Sequence, residues 1–212
     1  MRKAAKAASL VLTAALVVGV GISAFAATTT PSKTVVDEVA ASVETTTTGE
    51  GTIVTTESKK VAKTEEEKTE VNTRTQQAVN NIGASVDLKK ETGATEEERV
   101  EVAAAEEVTV VENTLPNDAQ VTVNVKSEVV DTVYEEEEKV TVMIAIPVLN
   151  ADGTQKQDEN GKLVFTYEKV QATVKGGQLQ LNLTNAQLKK FGKKFTVIAL
   201  KNVQKTTPAA AQ

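Results

Sequence analysis

The 212-residue chain contains no cysteine, no histidine and no tryptophan. Without thiols and imidazoles it lacks disulfides, thiol nucleophiles, nucleophile–histidine triads and the usual ligands of zinc, haem and iron–sulfur clusters. Carboxylate, hydroxyl and amine groups are the side chains left for chemistry. The sequence therefore predicts no cofactor, no catalytic site and no metal site, and it favours a protein that is not an enzyme.

Aromatic residues are scarce as well, with 4 Phe and 2 Tyr in the whole chain. All of them except Phe25 lie between Tyr134 and Phe195. Because aromatic side chains bury the largest apolar areas, the packed core is expected in the C-terminal half. The shortage of rings also argues against a sugar-cleaving cleft, although a hydrolase that uses paired carboxylates is kept as an alternative.

The N-terminal residues follow the pattern of a secretory signal peptide. Basic residues precede an apolar run over residues 7–25, and Ala24 and Ala26 place small side chains before a cleavage point at residue 27. The sequence therefore predicts a signal peptide over residues 1–26 and a secreted or cell-surface protein. An uncleaved anchor is the alternative, because about 20 apolar residues suffice to cross a bilayer. No second apolar run follows, so no membrane span is expected after the signal is removed.

Residues 27–60 are rich in threonine and poor in large apolar side chains. Such a composition offers little surface to bury and is typical of disordered segments. The sequence predicts a Thr-rich disordered stalk here, with a short strand at residues 51–55 as the alternative.

Residues 61–106 form an acidic segment with helical signals. Thr64 and Thr95 are each followed three residues later by a glutamate, as in a capping box. After the first box, apolar residues recur at helical spacing. This stripe consists of Val71, Ala78, Val79 and Ile82. The segment is expected to be weakly helical, and three arrangements stay open: docking on the C-terminal domain, pairing with a partner helix, or partial disorder.

Residues 107–203 change to the two-residue period of β-strands. Apolar and polar residues alternate over residues 121–125, whereas residues 140–148 are apolar on both faces, as in a central strand. The glycine-containing pairs at 160–161 and 176–177 are typical of hairpin turns. This range is therefore predicted to be the β-rich domain.

One short helix is expected between the last two strands of this domain. Thr184 and Asn185 supply the cap, and Gly192 stands at the position where a helix usually ends. A final strand is predicted over residues 195–200. Residues 204–212 are expected to form a flexible tail.

These signals together predict a mainly β protein. Short strands joined by turns favour a C-terminal antiparallel β-sandwich, immunoglobulin-like by analogy, with one short helix. A low-complexity and weakly helical N-terminal half precedes it. The alternative is an α+β fold in which the helices of residues 61–106 pack on an antiparallel sheet.

Charge is distributed unevenly along the chain, although its net value is only −5. No acidic residue follows Glu168, whereas eight lysines do. Four of them lie close together and form a candidate anion-binding site for a cell-wall polymer. These four are Lys189, Lys190, Lys193 and Lys194. The alternative is that they keep a helix and sheet edges soluble. Nucleic acid is not an expected partner, because the pI is about 5.1 and no arginine follows Arg99.

The oxygen-rich stretch over residues 150–161 has the composition of a calcium loop but lacks its ligand spacing, so a hairpin loop is the preferred interpretation. The chain is thus expected to be an exported, noncatalytic bacterial protein. It would act as a binding or structural module at the cell surface or outside the cell. Besides an anionic wall polymer, another surface protein is an expected partner, and the oligomeric state stays open.

Overall fold

The computed structural model describes residues 41–48 and 50–205. The predicted signal peptide with Ala24 and Ala26, residues 27–40 of the predicted stalk and residues 206–212 of the predicted tail lie outside the described residues.

The described chain contains eight strands and five helices. The strands are β1 (Ala41–Thr48), β2 (Ile53–Glu57), β3 (Glu98–Asn113), β4 (Gln120–Ser127), β5 (Lys139–Pro147), β6 (Phe165–Lys175), β7 (Gln178–Thr184) and β8 (Lys194–Gln204). The helices are α1 (Ser58–Val61), α2 (Glu65–Ser85), α3 (Leu88–Thr92), α4 (Glu128–Val133) and α5 (Asn185–Phe191).

All eight strands belong to one antiparallel sheet in the order β1-β4-β7-β6-β5-β8-β3-β2. The two outermost strands are consecutive in sequence and come together, so the sheet curls into a nearly closed barrel. The prediction of a mainly β protein is confirmed. The immunoglobulin-like sandwich is not confirmed, because one curled sheet takes the place of two stacked ones. Curling brings the two exposed edges of the sheet against each other.

The interior of the barrel holds the larger apolar core, to which every strand contributes at alternating positions. Helices α4 and α5 follow β4 and β7, whose chain ends lie at opposite ends of the barrel. Val130 of α4 is buried in the same core, as are Leu188 and Phe191 of α5. The two short helices therefore plug the two ends of the barrel.

Helices α2 and α3 pack on the outside of the sheet, over β3, β8, β5 and β6. The capping box of α2 is confirmed, with the Thr64 hydroxyl accepting from the Glu67 amide at 3.1 Å and the Glu67 carboxylate accepting from the Thr64 amide at 3.2 Å. Its predicted apolar stripe is buried. Docking on the sheet is thus the arrangement that the helix adopts. Among the described residues, no helix is both long enough and apolar enough to cross a bilayer.

The structure differs from the expected disordered stalk at residues 41–48 and 53–57, which form β1 and β2. Strand β2 overlaps the short strand that was the alternative for residues 51–55. Local composition is a poor guide here because threonine is β-branched and suits an extended backbone. Val43 and Ile53 are buried in the barrel, and backbone pairing with β4 and β3 provides the remaining stabilisation.

The structure also differs from the expected helical segment over residues 61–106, because β3 begins at Glu98. Thr95 still binds the Glu98 carboxylate through its amide at 2.8 Å, but this local motif precedes a strand. Strand β3 pairs with β8 on one side and with β2 on the other. These long-range ladders override the helical propensity of its alanines and glutamates.

Farther along the chain, the predicted strands and the predicted short helix are present. The β-rich range also contains a second helix, α4, which the sequence did not predict; it is capped by Ser127, whose hydroxyl accepts from the Val129 amide at 3.2 Å. Strand β5 is central and apolar on both faces, since its side chains enter both the interior core and the core under α2. Gly176 and Gly177 both have positive φ, at 57° and 69°, and form the tight turn between β6 and β7. Gly161 also has positive φ, at 74°, and its amide donates to Asp158 at 3.0 Å in the predicted turn.

Candidate functional site

The four lysines of the predicted anion-binding site lie at one end of the barrel. Lys189 and Lys190 are in the last turn of α5. Lys193 immediately precedes β8, and Lys194 is the first residue of that strand. Helix α5 is fixed by a capping box, in which the Thr184 hydroxyl accepts from the Gln187 amide at 3.2 Å. The sequence therefore places these side chains on one short, well-defined turn of the fold.

Two of the four lysines already have partners within the molecule. Lys189 Nζ donates to the carbonyl of Leu115 at 3.1 Å and to Asn117 Oδ1 at 2.8 Å. Lys190 pairs with the carboxylate of Glu168. These contacts hold the β3–β4 loop and β6 against α5. Of these four lysines, Lys193 and Lys194 are the two that are exposed and have no ion pair or side-chain hydrogen bond with another described residue.

A buried asparagine, Asn185, lies beside this cluster. The sequence indicated it only as part of a helix cap. The side chain of Asn185 is fully buried, and its Nδ2 donates to the Leu115 carbonyl at 2.7 Å and the Pro116 carbonyl at 3.0 Å. Its Oδ1 accepts from Asn113 Nδ2 at 2.6 Å. The network ties the β3–β4 loop to α5, so its role is structural.

A second surface emerges only in the folded sheet. Strands β1, β4 and β7 lie side by side, and their outward side chains form rows such as Thr46–Thr122–Asn182 and Glu44–Asn124–Gln180. We call this surface the amide face. Its members are Glu44, Thr46, Thr48, Gln120, Thr122, Asn124, Lys126, Gln178, Gln180 and Asn182.

The amide face is polar and nearly uncharged. Glu44 and Lys126 are its only ionisable members, although a quarter of the chain is charged. Neighbouring strands repeat every ~4.8 Å, and alternate residues on one strand repeat every ~6.8 Å. Each carboxamide offers two donors and an acceptor, and each hydroxyl offers both functions. Thr122 and Asn182 are held in place by a hydrogen bond of 2.8 Å. Chemically, the face is suited to hydrogen-bond a neutral polar ligand.

The interior of the barrel contains two buried carboxyl groups, those of Glu57 and Glu106, which are 4% and 6% exposed. A β-bulge between Val102 and Ala104 turns Glu106 inward and Glu107 toward α2. Glu106 and Ser127 line a small cavity of about 10 Å³ whose other walls are apolar, and this is about the space of one water molecule. Burial raises the pKa of Glu106 to about 7, with smaller contributions from nearby charges.

The oxygen-rich residues 150–161 form a hairpin-like loop, as preferred from the sequence. Asp152 Oδ1 accepts from the amide and hydroxyl of Thr154 at 2.9 and 2.6 Å, which lowers the pKa of Asp152. Asp158 Oδ1 accepts from the Asn160 and Lys162 amides, both at 2.8 Å. The carboxylates thus stabilise turns. Within residues 41–48 and 50–205, no group of three or more acidic side chains is arranged to hold a metal ion.

No protein-family model, curated protein or solved structure matches this chain.

Proposed function

We propose that this protein is an exported, noncatalytic module of the cell surface or extracellular space, and that it binds a neutral glycan on the amide face. The observation that supports the proposal is the alignment of neutral amide and hydroxyl side chains across β1, β4 and β7. The leader pattern of residues 1–26 supports export.

The charge of the amide face favours a glycan over other partners. A strongly anionic or cationic ligand would gain little from a face that carries one acidic and one basic side chain, Glu44 and Lys126. An apolar partner would bury amides without hydrogen bonds, at a cost of about 1–3 kcal/mol for each unsatisfied group. A neutral polysaccharide presents repeating hydroxyls that donate and accept, and these match carboxamides.

The expected affinity for a single short glycan is weak. Each hydrogen bond contributes about 0.5–1.5 kcal/mol net, and association costs at least about 4 kcal/mol in lost freedom. Since no aromatic side chain belongs to the amide face, stacking adds nothing. We therefore expect a dissociation constant on the order of millimolar, and retention on a long polymer through several copies.

The proposal is tested by titrating ¹⁵N-labelled protein with chitotetraose, cellotetraose and maltotetraose at millimolar concentration, and by co-sedimentation with insoluble chitin and cellulose. We expect backbone shifts confined to β1, β4 and β7. The double substitution Gln180→Glu with Asn182→Asp keeps side-chain shape but removes donors and adds charge, and it should abolish the shifts.

The control is Gln157→Glu, which makes one of these two amide-to-carboxylate changes on the exposed β5–β6 loop. It should leave glycan binding intact. Absence of shifts with all three sugars and of retention on both polymers would refute the proposal. Shifts of the amide face that depend on protein concentration instead would identify a second copy of this chain as the partner.

A second candidate function is binding of an anionic wall polymer by Lys193 and Lys194, since these two lysines have no ion pair among the described residues. Lys193→Glu with Lys194→Glu should abolish salt-sensitive retention on purified bacterial cell wall. Lys156→Glu with Lys162→Glu makes the same charge change on the β5–β6 loop and should not. Equal loss with both pairs would mean that net charge alone controls retention.

A further inference from the structure

The place where the barrel closes lies between β1 and β2, and we call it the seam. No backbone ladder joins these two strands among the described residues. Instead, the buried Glu57 carboxylate on β2 accepts from the backbone amide of Val43 on β1 at 2.8 Å. Thr55 and Thr45 add a contact between hydroxyls at 3.5 Å. One side chain thus provides the principal polar link across the seam.

Glu57 is held in this position by α1, which directly follows β2. Lys60 Nζ lies 3.0 Å from Glu57 Oε1 and 2.9 Å from Oε2. The Glu57 side chain is 5% exposed and that of Lys60 is 60% exposed. The ion pair therefore orients the carboxylate from the solvent side while Val43 binds it from within the sheet.

Glu106 enters the same region from β3. Its Oε1 is buried and has no hydrogen-bond partner within the described part of the chain. The charged groups that influence its titration are Glu57 on β2, Lys59 and Lys60 on α1, and the neighbouring Glu107, whose side chain points to the other side of β3. Ser127, at the start of α4, lines the cavity beside it, and the side chains from β4, β7 and β8 there are apolar.

We propose that the seam is a pH-sensitive closure, in which loss of the proton of Glu106 releases β1 from Glu57. When the proton leaves to solvent, the interior gains a charge, and one of its two oxygens, Oε1, has no hydrogen-bond partner among the described residues. Such a charge is unfavourable in an apolar environment. The new carboxylate repels Glu57 and competes with it for Lys60. Opening the seam lets water reach Glu106, and it breaks no backbone ladder.

The pH range in which Glu106 titrates supports the proposed seam closure, and this support does not depend on the proposed glycan function. Desolvation is the largest cause of the raised pKa of Glu106, about 7, and repulsion by Glu57 and Glu107 adds to it, while Lys59 and Lys60 oppose it. Below this pH the neutral carboxyl is compatible with a closed seam. Above it, the charged Glu106 carboxylate favours the open seam, in which water solvates it.

The experiment measures amide hydrogen exchange of Val43 by NMR and expresses it as a protection factor relative to the intrinsic rate at each pH. Between about pH 5.5 and about pH 8.5, the protection factor of Val43 should fall about thirtyfold, as linkage requires for a pKa of about 7 when closed and an ordinary one when open. Low urea concentrations should accelerate exchange of Val142 in central β5 but not of Val43, because seam opening exposes little surface.

Glu106→Gln removes the titration and should flatten the profile of Val43. Glu112→Gln, at an exposed position of the same strand, should keep it. Should Glu106→Gln fail to fold, the wild-type side-chain carboxyl shift of Glu106 must titrate at the pH at which the fall in Val43 protection levels off, because linkage ends the fall at the pKa of the closed state. A carboxyl titration far from the pH at which Val43 protection levels off, a flat wild-type profile, or a shared urea dependence of Val43 and Val142 would overturn the proposal.

Discussion

Arg74 on α2 and Glu107 on β3 form a bidentate ion pair, with Nε and Nη2 each 2.9 Å from a different carboxylate oxygen. The Glu107 side chain is only 3% exposed, and that of Arg74 is 22% exposed. Their hydrogen bond raises the pKa of the guanidinium. The pair explains how a strand with two adjacent glutamates runs through the core: Glu107 has a partner on α2, whereas Glu106 faces the interior.

Breaking this ion pair from one side should be costly. Arg74→Met leaves the Glu107 carboxylate buried without a counter-charge, and we expect the free energy of unfolding to fall by about 3 kcal/mol. Urea denaturation followed by circular dichroism measures the change. The double variant Arg74→Met with Glu107→Leu should recover most of the loss, since it leaves no buried charge. Additive losses in the two single variants and the double variant would show that the groups do not interact.

Stability should decrease as pH rises toward neutrality. The unfolded chain releases the Glu106 proton near an ordinary glutamate pKa of about 4.3, whereas burial holds the pKa of the folded state at about 7. Between these values the unfolded state binds fewer protons, so its relative free energy falls with pH. The loss is complete above about pH 7 and amounts to about 4 kcal/mol. Urea titrations from acid to neutral pH check it, and Glu106→Gln must remove this part of the slope.

Thr184→Ala should weaken the plug that α5 forms at one end of the barrel. The substitution removes the acceptor for the Gln187 amide and should cost about 1 kcal/mol. The Thr64→Ala change removes the equivalent cap of α2 and provides a matched comparison. Thermal unfolding of both variants measures the two losses. A value near zero for Thr184→Ala would mean that the packing of Leu188 and Phe191 and the hydrogen bonds of Asn185 fix the helix without its cap.

Substituting alanine for Gly176 or for Gly177 in the β6–β7 turn should lower the free energy of unfolding by different amounts. Both have positive φ, so each substitution costs about 1–2 kcal/mol in backbone strain. A methyl group on Gly177 would also lie 2.9 Å from Asp131 Oδ1 and 3.3 Å from its Cβ, whereas none of the described atoms lies within 4 Å of that position on Gly176. We expect Gly177→Ala to be the more destabilising change in urea denaturation. Equal losses would indicate that α4 moves aside freely.

The parts of the fold predicted from sequence are those with strong local signals. Helix α5 lies between a capping threonine, Thr184, and a terminating glycine, Gly192. Strands β4 and β7 show clean apolar–polar alternation, and Gly176-Gly177 marks the hairpin turn between β6 and β7. In each case neighbouring residues encode the geometry.

Strands β1 and β3 lacked such signals. Strand β1 carries a single large apolar residue, Val43, and pairs with β4 at positions more than 70 residues away. The alanines and glutamates of β3 favour a helix in sequence-based prediction, and the bulge near Ala104 interrupts the two-residue period of the strand. The energy that favours these strands comes from ladders and burial with distant residues.

The candidate sites follow the same division. Sequence located the four lysines, but the fold engages Lys189 and Lys190 with Asn117 and Glu168. The amide face joins residues from three strands that are not consecutive. The inward direction of Glu106 depends on a bulge. None of these relationships leaves a pattern in a short window of sequence.

The sequence by itself determined the β character of residues 120–204, the α2 and α5 caps, and the exclusion of thiol and imidazole chemistry, because each depends on residue type and local spacing. Only the tertiary structure decided that the sheet curls, that the threonine-rich β1 completes it, and that the side chains of Glu57 and Glu106 are buried. Strand order and register depend on the burial and hydrogen bonding of the whole sheet. These interactions join residues that are far apart in the sequence, so no local segment encodes them.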